Sequence, residues 1–310
     1  MYTWRILCVT AAALCLAAPA AADDLPQALR ALEELADDED AFVRAVRDFD
    51  NTQRSLAEWD VDMAREHQAA GEEDLMDEKL ASARERFELV RQAYDYAVER
   101  YPRNARILNY YGELEYDVFG DEAKGVELWR TAANIDPDLP FPHNNLGIHY
   151  CHVGRYEDGL RHFDRTLELD PDNPDFLFNV VQIYLVHFHQ VQEIKGWDRE
   201  EIFERAMEKS RRATELEPED YQILQDYAMN YFTAEDFGVD PEWDKAAEAW
   251  AAAREHADNE DAVYYTWLNE ARAWLRHGDG DRARACLEEA RVFHPDSGAV
   301  QQLLEQADEL

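Results

Sequence analysis

The stretch from Pro137 to Pro171 leaves this chain little freedom in its fold. The two prolines stand 34 residues apart and bracket Leu146, Gly147, Tyr150, Gly154, Gly159 and Phe163. A proline lacks the backbone N–H and its ring clashes with the preceding turn, so each one ends a helix. Between them the pattern predicts two helices joined by a turn at Gly154. Gly147 and Gly159 let the pair approach closely, while Tyr150 and Phe163 fill the space that remains. One such pair cannot bury its own apolar face and has to stack on copies of itself.

Weaker copies lie on both sides. Upstream, Gly112, Tyr116, Gly125, Trp129, Ala132 and Pro137 repeat the pattern with one extra residue in the turn around Gly120. Downstream, Leu177, Val180 and Tyr184 lead to Ala206, Ala213 and Pro218, with Ser210 where an aromatic belongs. A fourth copy has Leu224, Tyr227, Ala228 and Tyr231, then Ala246, Trp250 and Ala253, with Asp258 in place of the proline. The fifth has Trp267, Ala271 and Trp274, then Ala283, Leu287, Ala290 and Pro295. The chain resembles the tetratricopeptide repeat family over residues 105–296, in about five repeats; only the opening Trp of the best unit is replaced, by His143. The resemblance implies an all-α fold, a right-handed superhelical solenoid of antiparallel helix pairs.

The rest of the chain divides around this array. Residues 1–22 read as a signal peptide, with Arg5, an apolar run from Ile6 to Ala18, and Ala20-Ala21-Ala22 as the cleavage site. That run is shorter than the about 20 apolar residues a spanning helix needs. Residues 23–103 read as an N-terminal helical region with a degenerate repeat: a first helix over 25–35, an acidic hinge at 37–40, and a long helix from about Asp40 to Ala69. Phe42, Val46, Phe49, Leu56, Trp59 and Met63 form one apolar stripe on that long helix, and Ala83, Phe87, Val90, Tyr94 and Ala97 form a second stripe ending at Pro102. The solenoid then covers 104–296 with insertions near 187–199 and 233–243, and 297–310 reads as a capping helix. Asp121, Asp198 and Asp240 stand where helix caps belong.

The net charge of −37 excludes a nucleic-acid binder, whose affinity rests on Lys and Arg clusters; it reads first as a solvated acidic surface, compatible with a salty environment and attractive to a basic partner. Two of the four cysteines fall in the signal peptide, leaving Cys151 and Cys286 as free thiols too far apart along the array to pair. The expected location is periplasmic or secreted, without membrane insertion.

No constellation for catalysis is present: no H-E-x-x-H, G-x-S-x-G or phosphate-cradling glycine loop. The chain is read as a non-enzyme without cofactors. Six of its ten His lie between residues 143 and 189, and His149, Cys151, His152, His187 and His189 are the candidates for a metal-handling or enzyme-accessory alternative. The leading reading is an exported scaffold or adaptor that holds a protein or peptide. In the family it resembles, the first helix of each repeat lines a concave groove. Turning Leu146, Gly147 and Tyr150 inward places Phe141, Asn144, Ile148, Cys151 and His152 on the open face. The same construction adds Arg106, Asn109 and Glu113 before them, and Phe178, Asn179, Gln182, Gln225, Met229, Tyr265 and Arg272 after. Trp197 and Trp243, in the insertions, have no packing role in this scheme.

Overall fold

The computed structural model describes residues 32, 35 and 37–310; the signal peptide read at 1–22 and most of the helix read at 25–35 lie outside them. Among the described residues there are fourteen α-helices and no strand. The all-α expectation therefore holds. The chain divides into two compact units, one ending at His149 and the other beginning at Tyr150.

The first unit is built on a hairpin of two long helices, α1 (Glu39–Ala70) and α2 (Glu73–Arg100). Asp38 accepts a hydrogen bond from the Ala41 amide, and Glu39 and Asp40 occupy the first turn of α1. The acidic run at 37–40 is thus the start of a helix rather than a hinge, since negative charge is favourable beside the unpaired amides there. Next come α3 (Ala105–Glu113), α4 (Glu122–Ile135) and α5 (Pro140–His152). Asp121 caps α4 through the Lys124 amide at 3.0 Å. The extra residue expected near Gly120 is absorbed earlier, in a π-helical turn at Leu114–Val118 that continues α3.

The glycines of this unit meet where helices touch. A Cβ added to Gly112 would stand 2.5 Å from Nε1 of Trp129, and one on Gly125 would stand 2.8 Å from Cβ of Tyr116. Trp129 is buried between them and donates its indole N–H to the Asn109 carbonyl at 3.2 Å. The long stripe on α1 is only half interior: Phe42 and Val46 are buried, but Leu56 and Trp59 are 39% and 54% exposed. At about 1.5 Å per residue, α3 and its π turn are too short to cover the far half of α1. Lys79 covers one face of the Trp59 ring instead, 4.6 Å from its centroid.

The second unit contains α6 (Tyr156–Leu169), α7 (Pro174–Val186), α8 (Phe188–Lys195) and α9 (Arg199–Leu216). It continues through α10 (Tyr221–Asn230), a 3-10 turn at Tyr231–Phe237, α11 (Trp243–Arg254), α12 (Glu260–His277), α13 (Gly280–Phe293) and α14 (Gly298–Asp308). Helices α7 with α9, α10 with α11, and α12 with α13 form packed pairs. Asp198 caps α9 through the Glu201 amide at 2.9 Å. Asp240 caps nothing: α11 starts later, at Trp243, behind a Glu242 whose side chain makes no capping bond.

The core of this unit is tiled by Trp243, Ala246, Ala247, Leu268, Ala271, Trp274, Ala283, Leu287 and Ala290, with Val300 and Ala307 of α14 laid against it. The two tryptophans without an expected packing role both have one. Trp243 is buried, 5.5 Å from the Phe232 ring. Trp197 stands edge-on to Tyr184 at 5.7 Å, with the Arg205 guanidinium 4.3 Å above its face. Cys151 and Cys286 are free and buried, and desolvation pushes each thiol up to about 12.

Candidate functional site

In the first unit the open face joins side chains of α1, α3 and α5. Asn109 donates to Glu113 Oε1 at 2.8 Å, and the Asn145 amide reaches both Asn109 Oδ1 at 3.2 Å and Glu113 Oε1 at 3.3 Å. Arg47 of α1 completes this polar lattice, 3.4 Å from Glu113 and stacked 4.2 Å over the Tyr110 ring. Arg106 pairs with Asp40. Phe141 is 39% exposed and Ile148 is half-buried, but Asn109 and Cys151 are fully enclosed and Asn144 is 93% buried, so none of these three belongs to the open face; Asn109 lies beneath it and holds Asn145 and Glu113 from below. The turn of α5 places Asn145, one residue on, beside α3. The sequence carried a signal for this: Asn145 and Asn179 are one 34-residue period apart.

In the second unit 175, 179 and 182, all less than fully buried, follow an i, i+4, i+7 stripe along α7 that brings Asn179 and Gln182 to one face. Phe178 is 91% buried, which makes it a core residue rather than an anchor for a ligand. Gln225 and Met229 are half-buried on α10, as are Tyr265 and Arg272 on α12, and His152 is exposed. The Tyr265 ring meets Trp250 edge-on at 5.6 Å, and Arg272 donates to Asn269 Oδ1 at 2.8 Å. Beyond them, Phe232, Leu275, Leu303 and Gln306 join Arg272 and Arg276 around a shallow pocket.

Two residues absent from the sequence-based set are tied to this face. Asp226, buried on α10, accepts from Gln182 Nε2 at 2.8 Å and from Asn230 Nδ2 at 3.2 Å. Asn230 also donates to Ser210 Oγ at 3.1 Å. Burial pushes the Asp226 carboxyl above its ordinary value, and the two amide donors oppose that only in part.

The histidines do not assemble. Among the described residues no group of three or more His, Cys, Asp or Glu side chains is placed to hold a metal ion. His149 Nδ1 lies 3.2 Å from the Tyr116 hydroxyl, His187 Nδ1 lies 3.2 Å from the Tyr156 hydroxyl, and His189 packs on the Phe188 ring at 4.0 Å. Nor is any helix among the described residues long and apolar enough to cross a membrane.

A family model for the tetratricopeptide repeat matches residues 140–173. Over 196 residues, 62% of its length, the chain is 26% identical to the protein CTR9 homolog of Arabidopsis thaliana, of which it spans only 16%. Over 123 residues, 38% of its length, it is 26% identical to the photosystem I assembly protein Ycf3 of Acaryochloris marina, spanning 74% of that protein. Among solved structures it is similar to YrrB, described as a TPR protein with an unusual peptide-binding site; the TM-score is 0.52 at 18% identity, covering 71% of this chain and 100% of the other. At that identity the likeness is one of fold.

Proposed function

Because the chain is a tetratricopeptide-repeat protein, we propose that it is a binding scaffold, exported from the cytoplasm, which holds a segment of a protein partner along the first helices of its repeats. The observation that carries this reading is that, within each unit, a first helix presents side-chain amides that are only half-buried: Asn145 on α5 in the first, Asn179 and Gln182 on α7 in the second. An amide offers both a donor and an acceptor, which suits a partner held by its backbone. YrrB, with its peptide-binding site, and Ycf3, an assembly protein, support a role of this kind. The acidity of the chain, at a net −37, favours a basic segment, and the reading of residues 1–22 as a signal peptide supports export.

Photo-crosslinking in the native host tests the proposal. A crosslinker at Gln225 should capture the partner, whereas one at Glu204, exposed on the second helix of its pair, should not. Equal yield from the two positions, or none from Gln225, overturns the reading. Export is checked separately, by N-terminal sequencing for a mature chain that starts at Asp23.

A further inference from the structure

Five carboxylates are buried among the described residues: Asp50, Asp60, Glu115, Asp226 and Glu270. The fold supplies cations to four of them. Asp50 holds Arg47 and Arg54, Asp60 holds Lys79 and Arg86, Glu115 holds Arg91 and Lys124, and Glu270 holds Arg254 at 2.5 Å. Asp226, only 6% exposed, is the exception: its described partners are the two amides of Gln182 and Asn230. A buried carboxylate without a counter-charge is costly, and the other four buried carboxylates of the described residues each have one.

The hydrogen bonds fix what Asp226 does to its surroundings. A carboxylate only accepts, so Gln182 has to present its NH2 to Asp226 Oδ1. The Gln182 carbonyl oxygen is thereby turned away from Asp226, on the half-buried stripe of α7 that also carries Asn179. The same logic turns the Asn230 NH2 inward, toward Asp226 and Ser210. What remains for a ligand at this point is an acceptor backed by a buried negative charge. Asp175 stands two turns earlier on the same stripe, exposed and without an ion pair to any described residue.

We propose that this place on the second unit selects a lysine or arginine side chain of the bound segment, with Gln182 Oε1 as the acceptor and Asp226 as the positioning residue that orients it and supplies the charge. The inference rests on the proposed groove and names the chemistry that one point of it reads. A donor-only side chain satisfies the outward acceptor, and its charge offsets one that no described residue pairs. A carboxylate in the partner would meet an acceptor and a like charge, so acidic segments are rejected at this point.

Fluorescence anisotropy with short labelled Ala/Ser peptides, identical except for a central Lys, norleucine or Glu, tests this on the full chain. The Lys peptide should bind about tenfold tighter than the norleucine peptide, and the Glu peptide weakest. In Asp226→Asn the Lys preference should fall to within about twofold, with the melting curve of the protein retained. Gln182→Met keeps Asp226 but removes the outward acceptor, and should lose the preference in the same way if Asp226→Asn proves unstable. Equal binding of the Lys and norleucine peptides, or a preference unchanged in both variants, overturns the inference. Gln225→Trp separates it from the groove reading. If peptides bind without Lys preference and Gln225→Trp blocks them, the groove stands and the inference falls; if no peptide binds, or Gln225→Trp leaves binding intact, both fall.

Discussion

The two units place charge in their interiors differently. In the first, Asp50, Asp60 and Glu115 each hold two cations, and every one of the three receives at least one side chain from a neighbouring helix: Tyr94 of α2 donates to Asp50, Ser82 and Arg86 of α2 to Asp60, and Arg91 of α2 to Glu115. In the second, Glu270 holds one cation and Asp226 none among the described residues, while the helices are sealed by tryptophans against alanines. Size-matched apolar faces set helix spacing but discriminate weakly between neighbouring registers. A buried carboxylate fixed from another helix permits one register, at the cost of desolvation. The long hairpin of α1 and α2 has few bulky side chains in its far half, where Ala57, Val61 and Ala83 form the core, so Asp60 supplies the register there. The second unit carries bulky rings in its core, and its two buried acids are tied across helices by fewer charges: Glu270 by Arg254 of α11, and Asp226 by the amide of Gln182 of α7.

The contrast predicts opposite outcomes for one chemical change. Asp50→Asn leaves two guanidinium groups around a neutral amide and should destabilise the first unit by about 3–5 kcal/mol. Asp226→Asn strands no cation of the described residues and should be neutral or mildly stabilising, within about 1 kcal/mol. Urea denaturation of the two variants, read by hydrogen exchange so that each unit reports separately, decides it. Equal losses would mean that the number of cations around an acid is not what distinguishes the units.

A second change sharpens the comparison within the second unit. Ser210 departs from the family pattern, which asks for an aromatic, yet restoring one should harm this protein. Ser210→Phe would crowd a 96% buried site and leave the Asn230 amide short of an acceptor, costing about 2–4 kcal/mol. A variant as stable as the parent would show that the Ser210–Asn230–Asp226 chain is incidental.

In the first unit, Gly112→Ala sets a methyl 2.5 Å from the Trp129 indole, and the cost should be about 1–3 kcal/mol. The expected readout is loss of the Trp129 near-ultraviolet signal together with faster amide exchange in α3. Unchanged exchange there would mean that the close approach of α3 and α4 does not hold the pair together.

Gly112, Gly125 and Trp129 were legible because close helix contact admits few residue types, and their spacing survives any register error. The groove-side set was legible only in part. A helical wheel places Asn144 and Asn145 100° apart, so a small error in the assumed inward direction exchanges them; the structure shows that Asn145 reaches α3 and Asn144 is buried. Phe178 was placed outward by the same construction, although Phe176, Leu177, Phe178, Val180 and Val181 are all buried on a helix with neighbours on most sides. Asp226 was invisible because it sits beside Gln225 on α10, and nothing in the sequence of that helix marks which of its polar residues is enclosed. Its trace was indirect, in the missing aromatic at Ser210: a polar residue where the family packs a ring signals that something polar is enclosed next to it.

The smallest predicted effect concerns pH, and it puts the two kinds of buried acid in opposition. Burial alone would raise the carboxyl of Asp60, but hydrogen bonds from Arg86, Ser82 and Lys79 hold it below the ordinary value; for Asp226, burial wins. A depressed acid contributes stability that is complete above the unfolded pKa of about 3.9 and is lost as the pH falls through its lower folded value. A raised acid works the other way: the folded state takes up the proton first, so stability is gained as the pH falls through the raised value toward the unfolded one. Between pH 7 and about 4.5 the Asp60 contribution should therefore persist, and the Asp226 penalty should shrink. Other carboxylates titrate in the same range, so the quantity to read is the difference between parent and Asp226→Asn. Their stability gap should narrow by a few tenths of a kcal/mol to about 1 kcal/mol on acidification, whereas the gap between parent and Asp60→Asn should stay constant. A parent-to-Asp226→Asn gap that widens as the pH falls would show that Asp226 is stabilised as a carboxylate, by a counter-charge that the amides of Gln182 and Asn230 do not provide.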